Sequence, residues 1–130
     1  NNKIGKGALI GSGLNLSMKN NSSIGKNCII SYANIGSDVM MGEGVVFYST
    51  NHNFDRLDIP MSHQGMTRAR TIEIEDDVWI GAFSIILPSC TKIETGAIIS
   101  AGSVVTKDVP PYAIIGGNPA RPIRFRNEKK

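Results

Sequence analysis

Aromatic side chains are scarce in this chain of 130 residues: they make up 6% of it, with a single tryptophan at Trp79. That scarcity argues against a bulky globular core. It also removes the interleaving of rings with basic side chains that a nucleic-acid surface needs, and no reading helix takes its place. Cysteine occurs twice, at Cys28 and Cys90, far apart and without metal-ligand spacing. A disulfide framework is disfavoured on that count, and reduced cytosolic thiols fit better. Histidine also occurs twice, at His52 and His63, one short of what a three-histidine zinc centre requires. No apolar run approaches the ~18 residues of a membrane span. No signal peptide is visible, so the expected location is cytoplasmic. The first residue is Asn1 and the repeat described below is already in phase at Ile4, the pattern expected of a natural chain that begins further upstream.

What is present is small residues and a short period. Gly occurs 14 times and hydrophobic residues make up 41% of the chain, enough for one domain over residues 1–130. Aliphatic residues followed by a small or polar one recur about every six positions, as in Ile4-Gly5, Ile10-Gly11, Ile24-Gly25, Met41-Gly42, Ile80-Gly81 and Ile99-Ser100. The residue four places on is mostly small or aliphatic too, as at Ala8, Leu14, Cys28, Val45, Ser84, Cys90 and Ser103. Each unit thus offers two inward positions, which neither a 3.6-residue helix nor simple strand alternation gives. Gly and Asn between units suit corners with unusual φ or close backbone approach. Three units close a triangular coil of ~18 residues, and stacked coils bury ladders of side chains. Both cysteines fall on an inward small position, so packing is expected of them rather than nucleophilic catalysis. The step from Ile30 to Ile35 is one residue short. The step from Ile86 to Ile93 is one long, with Lys92 read as the extra residue, and small bulges are expected at both.

The repeat breaks after Phe47 and resumes near Ile74. Asn51 is expected to take an inward slot, leaving His52 as the first side chain free to leave the coil. A loop follows over about residues 53–69, containing Pro60 and Gly65 and no strand period. Insertions of this length in a compact domain are usually functional or disordered, and function concentrates on loops held by rigid frames. Beyond Pro110-Pro111 the chain is expected to leave the coil as an extended C-terminal extension, about 110–130. Positive charge gathers late, at Lys107, Arg121, Arg124, Arg126, Lys129 and Lys130, after Arg68 and Arg70 in the loop. These charges are either solvated surface or a site for an anionic cofactor or polymer.

Five motifs occur in order: Thr50-Asn51-His52; Gln64-Gly65; Asp77-Val78-Trp79-Ile80-Gly81-Ala82; Ser100-Ala101-Gly102-Ser103 through Asp108; and Gly117-Asn118-Pro119-Ala120-Arg121. With the six-residue repeat they resemble the hexapeptide-repeat O-acetyltransferases, including the galactoside and maltose enzymes, and most of all the branch acting on surface polysaccharides or their precursors. The resemblance implies an all-β fold, a left-handed parallel β-helix with one protruding loop and a short C-terminal extension. It implies acetyl transfer from acetyl-CoA to a sugar hydroxyl, with no metal. The histidine matching His52 is that family's catalytic base. A sugar hydroxyl is barely acidic, so its attack on a thioester needs proton removal as the C–O bond forms, a task suited to neutral imidazole. Trp79 matches a tryptophan beside the active site, either polarising the thioester carbonyl or orienting the acetyl group through its indole N–H, or simply packing at a coil corner. Backbone N–H groups around Gly81 and Ala82 are alternative donors to the oxyanion. Family positions for the cofactor match Gly81, Ala82, Ala101 and Thr106, with Lys107, Arg121 and Arg124 near its phosphates. Acceptor contacts are expected among Asn34, Asp55, His63, Gln64, Arg68 and Arg70, with His63 more readily read as a solvated loop residue. The resemblance further implies a homotrimer with parallel axes and active sites between neighbouring chains. Glu94 and Ser100 stand where the repeat usually has Gly.

Three rivals share the scaffold. N-acetylation of an amino sugar needs the same donor site. A γ-class carbonic anhydrase-like zinc enzyme needs a third histidine. A non-catalytic β-helix that binds or supports predicts no acetyl-CoA binding and no effect of His52→Ala beyond stability.

Overall fold

The computed structural model describes residues 1–11 and 15–128. The inward position expected at Leu14, and the cationic ends at Lys129 and Lys130, lie outside the described residues.

The six-residue period folds as a left-handed parallel β-helix of about six turns. Each turn lays one short strand on each of three faces. The first face carries Lys3–Ile4, Ser23–Ile24, Met40–Met41, Trp79–Ile80, Ile98–Ile99 and Ala113–Gly117 in parallel order. The second carries Leu9–Ile10, Ile29–Ile30, Val46–Phe47, Ile85–Ile86 and Val104–Val105. The third carries Leu16–Met18, Ala33–Ile35, Ile72–Ile74 and Lys92–Ile93. Strands of two or three residues persist because each backbone group bonds to the turn above or below, as when Gly42 N–H donates to Ile80 O at 2.9 Å.

The interior is a set of ladders. Met41, Ile80, Ile99 and Ile115 stack in register on the first face, and Phe47, Ile86 and Val105 on the second. The third stacks Met18, Ile35, Ile74 and Ile93. Burying one such isoleucine stabilises by about 1.5–3 kcal/mol. The small inward positions Cys28, Val45, Ser84, Cys90 and Ser103 are all buried. The buried serines bond to backbone, Ser22 Oγ donating to Gly36 O and Ser84 Oγ to Ser100 O. The first turn is the open end of the core: Ile4 is 54% exposed.

Corners follow the expected chemistry, with departures at the aromatic residues Tyr32, Phe83 and Tyr112. Gly7, Asn27, Gly44 and Gly102 take positive φ at successive turns of the edge between the first and second faces. At the same place in its turn, Phe83 adopts φ 60°, a conformation that costs a non-glycine residue about 1–2 kcal/mol. Its ring lies over Gly44, where an added Cβ would come within 2.5 Å of a ring carbon.

Four expectations are corrected. Lys92 is not an inserted residue but sits in strand register with Glu73. The added length lies in the preceding corner, a turn closed by Cys90 N–H donating to Leu87 O at 2.9 Å. The short step near Ile35 is a tightened corner rather than a bulge: Ser31 and Tyr32 alone separate the two strands, with Tyr32 at φ 53°. The chain does not leave the coil at Pro110-Pro111. Ala113–Gly117 adds another parallel strand to the first face, and Ala120–Phe125 folds back antiparallel on it. Proline is tolerated at that corner because no ladder N–H is required there. Finally, Asn51 is exposed rather than inward.

Candidate active site

The loop leaves the helix at the edge between the second and third faces, after Val46–Phe47 and before Ile72–Ile74. Its legs pair as an antiparallel hairpin, wider than the sequence interval 53–69. Asn53 N–H donates to Gly65 O, Thr67 N–H to Asn51 O, and Arg70 N–H to Ser49 O. His52 faces Met66 across the hairpin and is exposed. Among the described residues no hydrogen bond engages its imidazole. A general base needs that combination of fixed backbone and free ring.

Two side chains hold the hairpin in shape. Gln64 Nε2 donates to Arg56 O at 2.8 Å and Ile59 O at 3.1 Å, while its Oε1 accepts the Arg56 N–H at 3.1 Å. Asn53 Nδ2 donates to the carbonyls of Gln64 and Met66. Gln64, expected to meet the acceptor, thus spends its amide protons inside the loop, and Asn53 was not singled out from the sequence at all. His63 ends the 3-10 turn Met61–His63 and is exposed, as is Asp55.

Arg68 and Arg70 lie at the base of the same hairpin. With Asn51, Thr67, Pro88 and Ser89 they line a groove of about 430 Å³. Asn34 is elsewhere, on the outer side of the third face. There it accepts from Ser17 Oγ and donates to Glu73 Oε1, both at 2.7 Å.

The positions matched to the cofactor fall into two groups. Thr106, Lys107 and Arg121 share a recess of about 210 Å³ with Asp108 and Pro110, on the same edge as the loop. Ala82 and Ala101 stack on the edge between the first and second faces, where Ala101 is exposed and Ala82 half-buried. Gly81 beside them is buried, and its missing side chain serves packing: a Cβ would sit 2.4 Å from the Ala101 nitrogen. Its N–H already donates to Ile99 O at 2.7 Å, which removes it as an oxyanion donor. Ala82 N–H has no acceptor among the described residues.

Trp79 is not at a corner but mid-strand on the outer side of the first face, 49% exposed, between Met40 and Ile98 in register. Arg124, opposite Ile114, lies in the same outward row. The first face is opposite the edge that carries the loop, so one chain does not bring Trp79 to its own His52.

Both thiols are buried and hard to ionise. Burial pushes the Cys28 thiol up, and burial together with the nearby Asp108 carboxylate pushes Cys90 up to about 12. Phe83 is the residue the sequence could have flagged, as a bulky ring in a slot that other turns give to Gly or Asn. Among the described residues no group of three or more His, Cys, Asp or Glu is placed to hold a metal ion, and no helix is long and apolar enough to cross a membrane.

Residues 71–107 match the family model described as the hexapeptide repeat of succinyl-transferase. A maltose O-acetyltransferase from Clostridium difficile 630 superimposes with a TM-score of 0.84 at 31% identity, over 98% of this chain and 68% of that one. A hexapeptide-repeat acetyltransferase from Vibrio cholerae, solved with acetyl coenzyme A, superimposes with a TM-score of 0.79 at 27% identity, over 97% and 72%. A chloramphenicol acetyltransferase of Klebsiella aerogenes is 36% identical over 107 residues, covering 71% of this chain and 50% of that enzyme. The chain spans a quarter to a half of the length of the first curated relatives it matches.

Proposed function

Because this chain belongs to the hexapeptide-repeat acetyltransferase family, we propose that it moves an acetyl group from acetyl-CoA to a hydroxyl of a sugar or surface-polysaccharide precursor. His52 acts as the general base. Its imidazole takes the hydroxyl proton as the oxygen attacks the thioester carbonyl. The tetrahedral intermediate then collapses, the C–S bond breaks, and the imidazolium returns the proton to the departing sulfur. No acyl-enzyme forms, in keeping with two buried thiols whose pKa values are raised. The observation that carries this reading is the hairpin itself, which fixes His52 by backbone pairing and leaves its ring open.

The acetyl-CoA complex of the Vibrio relative supports the choice of donor. Thr106, Lys107 and Arg121 are the residues to meet its charged end, since their recess joins two cations to a hydroxyl. The oxyanion is held by Ala82 N–H or the Trp79 indole.

A homotrimer with parallel axes completes the site. The outward row of the second face is Leu9, Ile29, Val46, Ile85 and Val104. That of the first face includes Met40, Trp79, Ile98 and Ile114. The third face instead shows Ser17, Asn34, Glu73 and Lys92. Two apolar faces and one polar face suit a chain that covers two sides with neighbours. Such packing sets the partner subunit's Trp79 beside His52, which a single chain cannot do. A cytoplasmic enzyme follows from the donor.

The test is thiol release from acetyl-CoA across neutral sugars, amino sugars and nucleotide-sugars, wild type against His52→Ala. Loss of a base of this kind costs about 10²–10⁴-fold in rate. Equal turnover of a good acceptor by both proteins removes His52 as the base. Product mass spectra separate O- from N-acetylation.

A further inference from the structure

The cations of this chain are not equivalent. Arg56 is clamped by Asp58 in two bonds of 3.0 and 2.6 Å. Arg126 bridges Asp77 and Gly96 O. Lys92 lies between Glu75 and Glu94. Arg68 and Arg70 differ: among the described residues neither guanidinium has an ion pair or a side-chain hydrogen bond, yet the two sit two residues apart beside one groove. No residue lining that groove carries a carboxylate. Its other polar groups are Asn51, Thr67 and Ser89. Asn51 immediately precedes His52, so the groove opens at the foot of the strand that carries the proposed base. Its volume of about 430 Å³ lies within the ~300–1,000 Å³ range of small-ligand clefts.

Two guanidinium groups lining one groove without a carboxylate leave its positive charge uncompensated, and an anion that meets both offsets it. The planar fork of arginine suits carboxylate and phosphate oxygens, each able to accept two parallel bonds. Neutral hydroxyl and amide groups around the fork suit the remaining hydroxyls of a sugar.

We propose that this groove binds the acceptor and that the acceptor is anionic: a sugar bearing a carboxylate or a phosphate, held by Arg68 and Arg70 so that a neighbouring hydroxyl reaches His52. The inference rests on the acetyl-transfer reading for what happens to the acceptor, but not for its binding. The donor's phosphates are left to Lys107 and Arg121, on the same edge beyond the Pro88–Ser89 corner.

The experiment is ligand-observed NMR on the full chain with glucuronate, glucose 1-phosphate and glucose, without donor. It is repeated on the Arg68→Gln/Arg70→Gln double variant and with saturating CoA. At least one anionic sugar binds at least tenfold more tightly than glucose. The double variant removes that advantage, each arginine contributing about tenfold, and CoA leaves it intact. Which sugar binds decides between carboxylate and phosphate. Rising salt weakens the anionic sugars and not glucose. Both arginines are exposed, so an unchanged melting temperature accompanies the loss. Equal binding of all three sugars, anion binding untouched by the double variant, or displacement of the anion by CoA overturns the proposal. If acetyl-CoA turnover fails with every acceptor while anion binding still depends on the two arginines, the groove stands and the reaction assignment falls.

Discussion

The coils and the loop are held together in opposite ways. In the coils the backbone bonds from turn to turn while the side chains stack, and no buried side-chain nitrogen or oxygen among the described residues lacks a partner. In the loop the backbone pairs only along the two legs, as when Asn53 N–H donates to Gly65 O, and beyond them side chains take over: Gln64 and Asn53 tie together backbone that no neighbouring turn reaches. Ile80 is 0% exposed and Leu57 is 98% exposed. A frame of the first kind tolerates little change in volume. A loop of the second kind tolerates change nearly everywhere except at its few clasps.

The largest effect belongs to the coil. Ile80→Ala removes the middle of the Met41–Ile80–Ile99 ladder and is expected to destabilise by about 2–5 kcal/mol. Leu57→Ala is expected to change stability by less than about 0.5 kcal/mol. Denaturant melts of both variants measure the contrast. A Leu57 variant that loses as much as the Ile80 variant shows the loop to be part of the core, and the distinction between the regions breaks.

The same distinction decides what could be read from the sequence. A strict period exposes any residue that obeys it, so Cys28, Val45, Ser84 and Ser103 were legible as inward before any coordinates. Length errors were legible in size but not in place. Counting between Ile86 and Ile93 reveals one residue too many, yet only pairing with Glu73 shows that Lys92 is not the surplus. Trp79 was legible as special and misplaced at a corner, because the nearby Gly81 reads as a turn whether it begins or ends one. His52 was marked by the break in the repeat and by the Thr50-Asn51-His52 motif together, and it is exposed on the hairpin. Asn51, expected inward, already belongs to the hairpin, since Thr67 takes its carbonyl and offers Oγ1 to its N–H. The role of Gln64 is set by atoms three to eleven residues away, which no local pattern records.

Gln64 gives the intermediate effect and sharpens the comparison from the loop side. Gln64→Met keeps the length of the side chain and removes its three hydrogen bonds. Global stability is expected to fall by less than about 2 kcal/mol. The loop opens locally, and cleavage by a nonspecific protease between residues 54 and 64 rises about tenfold. As a positioning residue for His52, Gln64 is expected to affect kcat, with KM for acetyl-CoA unchanged. Gln64→Glu retains the acceptor for Arg56 N–H but sets a carboxylate oxygen against the carbonyls of Arg56 and Ile59, so no recovery is expected from it at neutral pH. A rise in KM for the acceptor alone, with protease resistance intact, assigns Gln64 to substrate contact instead.

The smallest effect returns to the coil and is read by pH. Cys90 is buried in the corner that makes room for the longer turn, and burial together with the Asp108 carboxylate pushes its thiol up to about 12. Folding therefore favours the neutral thiol. The contribution is fully present well below pH 9, where neither state ionises. It is lost as pH rises toward about 12, because the unfolded chain ionises first. At pH 10 the loss amounts to roughly 1 kcal/mol. Comparing denaturant stability of wild type and Cys90→Ala at pH 8 and pH 10 isolates this slope from that of other groups. Equal slopes show the Cys90 thiol free to ionise in the folded protein. The inward ladder would then be open to water at its longest corner, and the coil would share there the looseness that otherwise marks the loop.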